Sequence, residues 1–107
     1  MTFYDYQEAS RRTRNPEITG WAASIEAALG IAGEAGEIVD LIKKMNFQGH
    51  GVDVARVKEE VGDLLWYLAE LADFIGFDLD DAAGENIAKL RERYPNGFDP
   101  EKSRERR

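Results

Sequence analysis

Two long stretches with apolar residues at helical spacing, separated by only eight residues, leave this chain little choice of architecture. The first runs from Ile18 or Gly20 to Met45. At about 100° per residue, Trp21, Ile25, Ala28, Leu29, Ala32, Val39 and Ile42 form one apolar arc, while Ile31, Ile38 and Leu41 spread onto the other side. A helix apolar on more than one face is either central or covered by a second subunit. The second stretch, Val54–Ile75, carries Val57, Val61, Leu64, Leu65, Leu68, Leu71, Ala72 and Ile75 as one stripe. Between them lies the loop Asn46–Asp53, with Gly49-His50-Gly51 at its tip and Asp53 placed to cap the second helix. Two helices joined this way pack antiparallel.

Shorter helices flank this pair. One spans Thr2–Arg14 and stops at Asn15-Pro16, because the residue before proline is pushed out of helical geometry. Another starts from a cap at Asp78 or Asp80, after Gly76, and reaches Tyr94 before Pro95, with Ile87, Leu90 and Tyr94 facing inward. The polar tail from 96 to 107 is expected to be loose or docked on a neighbour. The fold expected is all-α: one domain over 1–107, a four-helix bundle-like arrangement with long central helices, completed by oligomerisation.

The central helices carry Glu34-Ala-Gly-Glu37 and Glu60-Val-Gly-Asp63. Residues three apart share one side of a helix. Acids are 21 of 107 residues, and Glu70/Asp73 and Asp78/Asp81 show the same spacing, so one such pair means little. The context of these two pairs differs: Glu34 falls between Ile38 and Leu41, and Glu60 borders the Val57–Leu64 stripe. Carboxylates at an apolar edge repel one another unless a positive charge lies between them. Lys43, Lys44, Arg56 or Lys58 could pair with them, but surface pairs contribute little. The other occupant is a hard divalent cation, Mg²⁺ above all. The spans from Glu37 to the loop and from the loop to Glu60 are similar, so both motifs fall at one height of the hairpin. Four carboxylates there suit one or two ions.

Composition narrows the function. Net charge is −7, concentrated between residues 15 and 98. A general nucleic-acid binder would instead show a basic stripe. A nucleotide held through metal remains compatible, because the ion offsets both sets of negative charge. Zero cysteines remove disulfides, thiolate metal sites and thiol nucleophiles. Neither a secretion signal nor a membrane-spanning run is evident, so a cytoplasmic location is expected.

Three glycines in seven residues, Gly30, Gly33 and Gly36, each cost a helix interior roughly 1 kcal/mol relative to Ala. They suggest close approach of another helix backbone or a ligand. Asn86, Lys89 and Arg93 share one helix face, and an Arg fork with a Lys point charge suits phosphate oxygens. The same cations also complement a helix C-terminus, as do Lys43 and Lys44, for which phosphate contact is the second reading. Trp66 points away from the apolar stripe and either stacks on a base or packs on a partner subunit. Tyr6 and Gln7 line a base pocket if the first helix folds over the site; otherwise Tyr6 anchors that helix in the core. His50 is a surface turn residue or a ligand.

These residues, in order, resemble the MazG-like nucleoside triphosphate pyrophosphohydrolases, closest to short single-domain and phage-type members. The resemblance rests on Glu34-Ala-Gly-Glu37, Lys43-Lys44, Gly49-His50, Glu59-Glu60-Val-Gly-Asp63-Leu-Leu-Trp66-Tyr67, and Asn86 to Pro95 with Lys89 and Arg93. The 22 residues between Glu37 and Glu60 fit that family's spacer. The resemblance implies an all-α fold and Mg²⁺-dependent cleavage between the α and β phosphates, with Mn²⁺ a possible substitute. It implies Glu34, Glu37, Glu60 and Asp63 as metal ligands and catalytic acids, with Asn86, Lys89 and Arg93 near the phosphates. It also implies a homodimer or homotetramer. Related chemistries it admits are phosphoribosyl-ATP and dUTP hydrolysis. A nucleotide sensor or a purely structural oligomerisation module would keep the architecture without turnover.

Overall fold

The computed structural model describes residues 1–105. Its helices are α1 (Phe3–Ser10), α2 (Gly20–Phe47), α3 (Val54–Ile75), α4 (Leu79–Arg93) and α5 (Pro100–Arg104), with a 3₁₀ turn at Arg11–Thr13 after α1. The expected all-α class holds, and α3 has the expected bounds. The first helix is shorter than expected. Thr2 and Asp5 close a capping box at its start, each side chain accepting the other's backbone N–H at 3.0 and 3.2 Å. At its end the Ser10 and Thr13 hydroxyls donate to the carbonyls of Gln7 and Ser10, and the chain tightens into the 3₁₀ turn. The tail, expected to be loose or docked, forms α5 through residue 104, capped by Asp99 with Pro100 in its first turn; residues 106 and 107 lie outside the described residues.

α2 and α3 form the antiparallel hairpin at the centre. Asp53 caps α3 by accepting the Arg56 N–H at 3.0 Å. Gly76, at φ 101°, ends α3 in the left-handed conformation open to glycine, and its N–H and that of Phe77 both bond the Ala72 carbonyl. The fully buried apolar residues among those described are Ala23 and Ala27 of α2 and Ala69 and Ala72 of α3. Small side chains let the two backbones approach.

The arc of α2 that the periodicity marks as most apolar faces outward. Trp21, Leu29 and Val39 are 83%, 70% and 66% exposed. The opposite face, where Ile31, Ile38 and Leu41 lie with the buried alanines, meets α3. α4 packs mainly on α1, and Ile87, expected inside, is exposed, with Leu90 and Tyr94 half-buried. The radius of gyration is 17.0 Å, against about 13 Å for a compact domain of this length. The protomer is an open hairpin carrying α1 and α4, with one large apolar face uncovered. No helix among the described residues is long and apolar enough to cross a membrane.

Gln7 shows why α1 sits where it does. It is fully buried, donates to Asp73 Oδ1 at 2.7 Å and to the Phe77 carbonyl, and accepts the Leu79 N–H at 2.8 Å. One amide thus joins α1, α3 and the start of α4. Asp73 also receives two bonds from Arg11, at 2.8 and 2.9 Å, and one from Arg14.

Of the three glycines, only Gly30 has a close neighbour: a Cβ there would collide with the Tyr67 ring, whereas Gly33 and Gly36 face open space in the protomer. The approaching group is therefore a side chain of the partner helix rather than its backbone. Gly30→Ala is expected to lower stability by about 1–2 kcal/mol, despite the roughly 1 kcal/mol that alanine favours in a helix. Gly33→Ala should raise stability by about 0.5–1 kcal/mol. Urea denaturation of the two variants checks the contrast, and equal behaviour would mean that Tyr67 does not rest on Gly30.

Candidate metal centre

The hairpin sets Glu34 of α2 against Glu60 and Asp63 of α3. Each offers one carboxylate oxygen, and all three oxygens lie within 4.8 Å of one another. Glu60 is buried, Glu34 half-buried and Asp63 exposed, so the group opens from the hairpin core to solvent. Glu34 Oε2 is buried without a hydrogen-bond partner. An oxygen left in that state costs free energy unless something positive meets it.

The lysines and arginine considered as counter-charges divide. Lys43 and Lys44 pair with Asp40, at 3.4 and 2.9 Å. Arg56 Nε reaches Glu60 Oε1 at 3.6 Å from a side chain 53% exposed. One long, solvated pair does not neutralise three facing carboxylates. The oxygen-only donor set and the orphaned Glu34 oxygen fit a hard divalent cation. Glu37 stands one turn nearer the loop, exposed, and is not part of the close trio. It lines an adjoining cleft of about 480 Å³ with His50 and Arg56.

The trio also acts on itself. Glu34 is pushed up to about 7, first because its protonated form donates to Glu60, then through burial and the charges of Glu60, Asp63 and Glu37. A raised folded-state value favours the fold below the ordinary 4.5 and withdraws that support as pH climbs through 7. Buried Glu70, raised by burial and then by Glu26, adds a contribution of the same sign. The metal-free protein should therefore melt lower at pH 8 than at pH 5, and Mg²⁺ should raise the melting temperature more at pH 8. Glu34→Gln should flatten much of that slope. A metal increment equal at both pH values would remove Glu34 from the cation site.

A second cleft, of about 380 Å³, opens on the other side and is lined by Thr13, Glu34, Asp63, Trp66 and Tyr67. Trp66 Nε1 donates to Thr13 Oγ1 at 2.7 Å, and the Trp66 and Tyr67 rings meet edge to face with centroids 5.1 Å apart. The indole N–H is thus spent inside the protomer, and its ring is available as an apolar wall. Burial, followed by the charges of Glu26, Glu34, Glu70 and Asp63, raises the Tyr67 phenol, which stays a neutral donor. Tyr6, also raised by burial and then by Asp63, has its hydroxyl near the Gly62 carbonyl at 3.5 Å. Gln7 is the core anchor, not a pocket residue. Thr13 carries no signal in the sequence; Tyr67 had one in Gly30.

Asn86 and Lys89 are exposed on α4, and neither lines either cleft. Arg93 is half-buried, its guanidinium 5.9 Å from the Tyr94 ring centre, in a separate cleft with Phe98 and Lys102. Within one protomer these three are not brought to the acids.

The model of the MazG nucleotide pyrophosphohydrolase domain family matches residues 24–98, which include α2 from Ser24 onward and all of α3 and α4. The chain is also similar to the Gene 37 protein of Mycobacterium phage L5, 33% identical over 100 residues, covering 86% of this chain and 88% of that protein. No solved structure matches it significantly.

Proposed function

Because the chain belongs to the MazG nucleotide pyrophosphohydrolase family, we propose that it hydrolyses nucleoside triphosphates between the α and β phosphates, giving a nucleoside monophosphate and pyrophosphate. The observation that carries this reading is the Glu34–Glu60–Asp63 trio, with its orphaned buried oxygen, beside a cleft walled by two aromatic rings. Glu34, Glu60 and Asp63, with Glu37 from the adjoining turn, would hold one or two Mg²⁺ ions, Mn²⁺ substituting. When bound, the ion supplies Lewis-acid polarisation of a phosphoryl oxygen.

The chain's own groups do the rest. Water adds to phosphorus, the bridging oxygen leaves with pyrophosphate, and a carboxylate of the site takes the water's proton. Trp66 and Tyr67 flank the base, consistent with an aromatic wall whose N–H is already satisfied. Asn86, Lys89 and Arg93 would reach the phosphates from a second copy of the chain. The outward face of Trp21, Leu29 and Val39 supports such a homodimer or homotetramer, since an apolar surface of this extent marks an interface. Removal of non-standard or surplus nucleotides in the cytoplasm fits this chemistry.

The test is release of pyrophosphate with Mg²⁺ over a panel of standard and damaged ribo- and deoxynucleoside triphosphates, with sedimentation on the same sample. Equal yields of monophosphate and pyrophosphate are expected, from a dimer or tetramer. Orthophosphate as the product, or no turnover on any substrate by a folded protein that binds Mg²⁺, would overturn the reading.

A further inference from the structure

Apart from Glu37, the cleft on the loop side of the acid trio has no part in the mechanism above. It holds Glu37, Asp40, Lys44, His50, Asp53 and Arg56. It adjoins the trio at two points, through Glu37, one turn from Glu34, and through Arg56, whose Nε lies 3.6 Å from Glu60. Two of its acids are already engaged: Asp40 holds Lys43 and Lys44, and Asp53 caps α3. Its cations keep donors in reserve. Lys44 uses one of three ammonium N–H groups on Asp40, and Arg56, which lines the cleft, has only Nε near Glu60 and no partner among the described residues on either terminal nitrogen. The His50 N–H bonds the Lys44 carbonyl at 3.2 Å, which fixes the imidazole's backbone over the lysine's turn. The N-terminus of α3, the positive end of a 22-residue helix, opens on the same side.

The two clefts therefore differ in kind. Trp66 and Tyr67 stand on one side of the trio, while Lys44, His50 and Arg56 stand on the other. A nucleoside triphosphate has the same polarity, an aromatic base at one end and an oxyanion chain at the other. Resting on the hydrolase reading, we propose that Lys44, His50 and Arg56 form the subsite for the β and γ phosphates and for the pyrophosphate product. This fixes the substrate's direction, with the base towards Trp66 and the leaving group towards the Gly49–Gly51 loop. Arg56 presents a fork and Lys44 a point charge, both suited to phosphate oxygens.

The experiment is calorimetric titration of inorganic pyrophosphate, and separately of a nucleoside monophosphate, into the Mg²⁺-loaded wild type and into Lys44→Gln, Arg56→Gln and Lys89→Gln. Mn²⁺ affinity by electron paramagnetic resonance is measured on each without nucleotide. Lys44 touches none of the trio, so Lys44→Gln should keep its Mn²⁺ affinity. Lys44→Gln and Arg56→Gln should each weaken pyrophosphate about tenfold and shift the monophosphate by no more than about twofold. Unchanged pyrophosphate affinity in both, or equal weakening of the monophosphate, would overturn the subsite, as would a loss confined to Lys89→Gln. In each of those cases a wild type that binds pyrophosphate leaves the hydrolase reading standing. A folded wild type that binds neither pyrophosphate nor a triphosphate would overturn both.

Discussion

Glu60→Gln lowers turnover by about a thousandfold and, in the same molecule, raises the melting temperature of the metal-free protein. The two effects have one cause. Glu60 is buried between Glu34, Asp63 and Arg56. Gln keeps the shape and removes the charge, so the cation loses a ligand, and a single preorganised charge at the reacting centre accounts for roughly 10²–10³ in rate. Without metal and above pH 7, where Glu34 is ionised, the same change removes the repulsion between it and Glu60; the value of about 7 itself comes first from the hydrogen bond between the two, then from burial, and then from that repulsion. Arg56 loses its partner, but an arginine more than half exposed loses little. Steady-state pyrophosphate release and thermal melting in chelator, run side by side, read both signs. Activity within tenfold of wild type, or a lower melting temperature, would make Glu60 a structural partner of Arg56 and no more.

Asp73→Ala is expected to cost about 3–5 kcal/mol, the range for stripping one partner from a buried ion pair. Asp73 and Arg14 have side chains only 13% and 11% exposed, and Asp73 also receives Arg11 and Gln7. Burial alone would raise its carboxyl; the hydrogen bonds from Arg11, Gln7 and Arg14 prevail and hold it down to about 2. A depressed value stabilises the fold above the ordinary 3.8 and loses that effect as pH falls through 2. Urea midpoints of the wild type should therefore fall between pH 4 and pH 2, and Asp73→Ala should lack that segment. The loss should reach the aromatic cleft too, because Thr13 lies between Arg11 and Arg14. Once α1 loosens, Thr13 releases Trp66, and tryptophan fluorescence should shift before the main unfolding transition. A variant within 1 kcal/mol of wild type would mean that Gln7 alone holds α1.

How much of this was legible in the residues depended on how far apart the interacting parts lie. The spacing of three within each acidic motif, and the short loop between them, placed Glu34, Glu60 and Asp63 together, because helical period and hairpin geometry are local. Glu37 shared the spacing yet stands outside the close trio, since four positions on two helices do not converge equally. Which apolar face of α2 is covered could not be read from periodicity: both faces qualify, and the decision fell to the alanines that let α3 approach. The surroundings of Trp66 depend on a 3₁₀ turn 53 residues earlier, and Gln7 is a polar residue at the most buried level of the fold. Neither follows from a local pattern. Asn86, Lys89 and Arg93 lie at i, i+3 and i+7 of α4, but one protomer does not carry them to the acids.

The four-alanine core has a consequence for how such a protein responds to dilution. Alanine contributes little apolar area, and larger side chains such as Ile38, Leu64 and Leu68 are only half-buried, so part of the stabilisation the sequence could supply lies with Trp21, Leu29, Val39 and their neighbours, which would gain it by contact with another surface. Where assembly provides that contact, folding and association become a single equilibrium. The number of working molecules would then follow total protein concentration more steeply than in proportion, and scarcity would act on this chain as a denaturant.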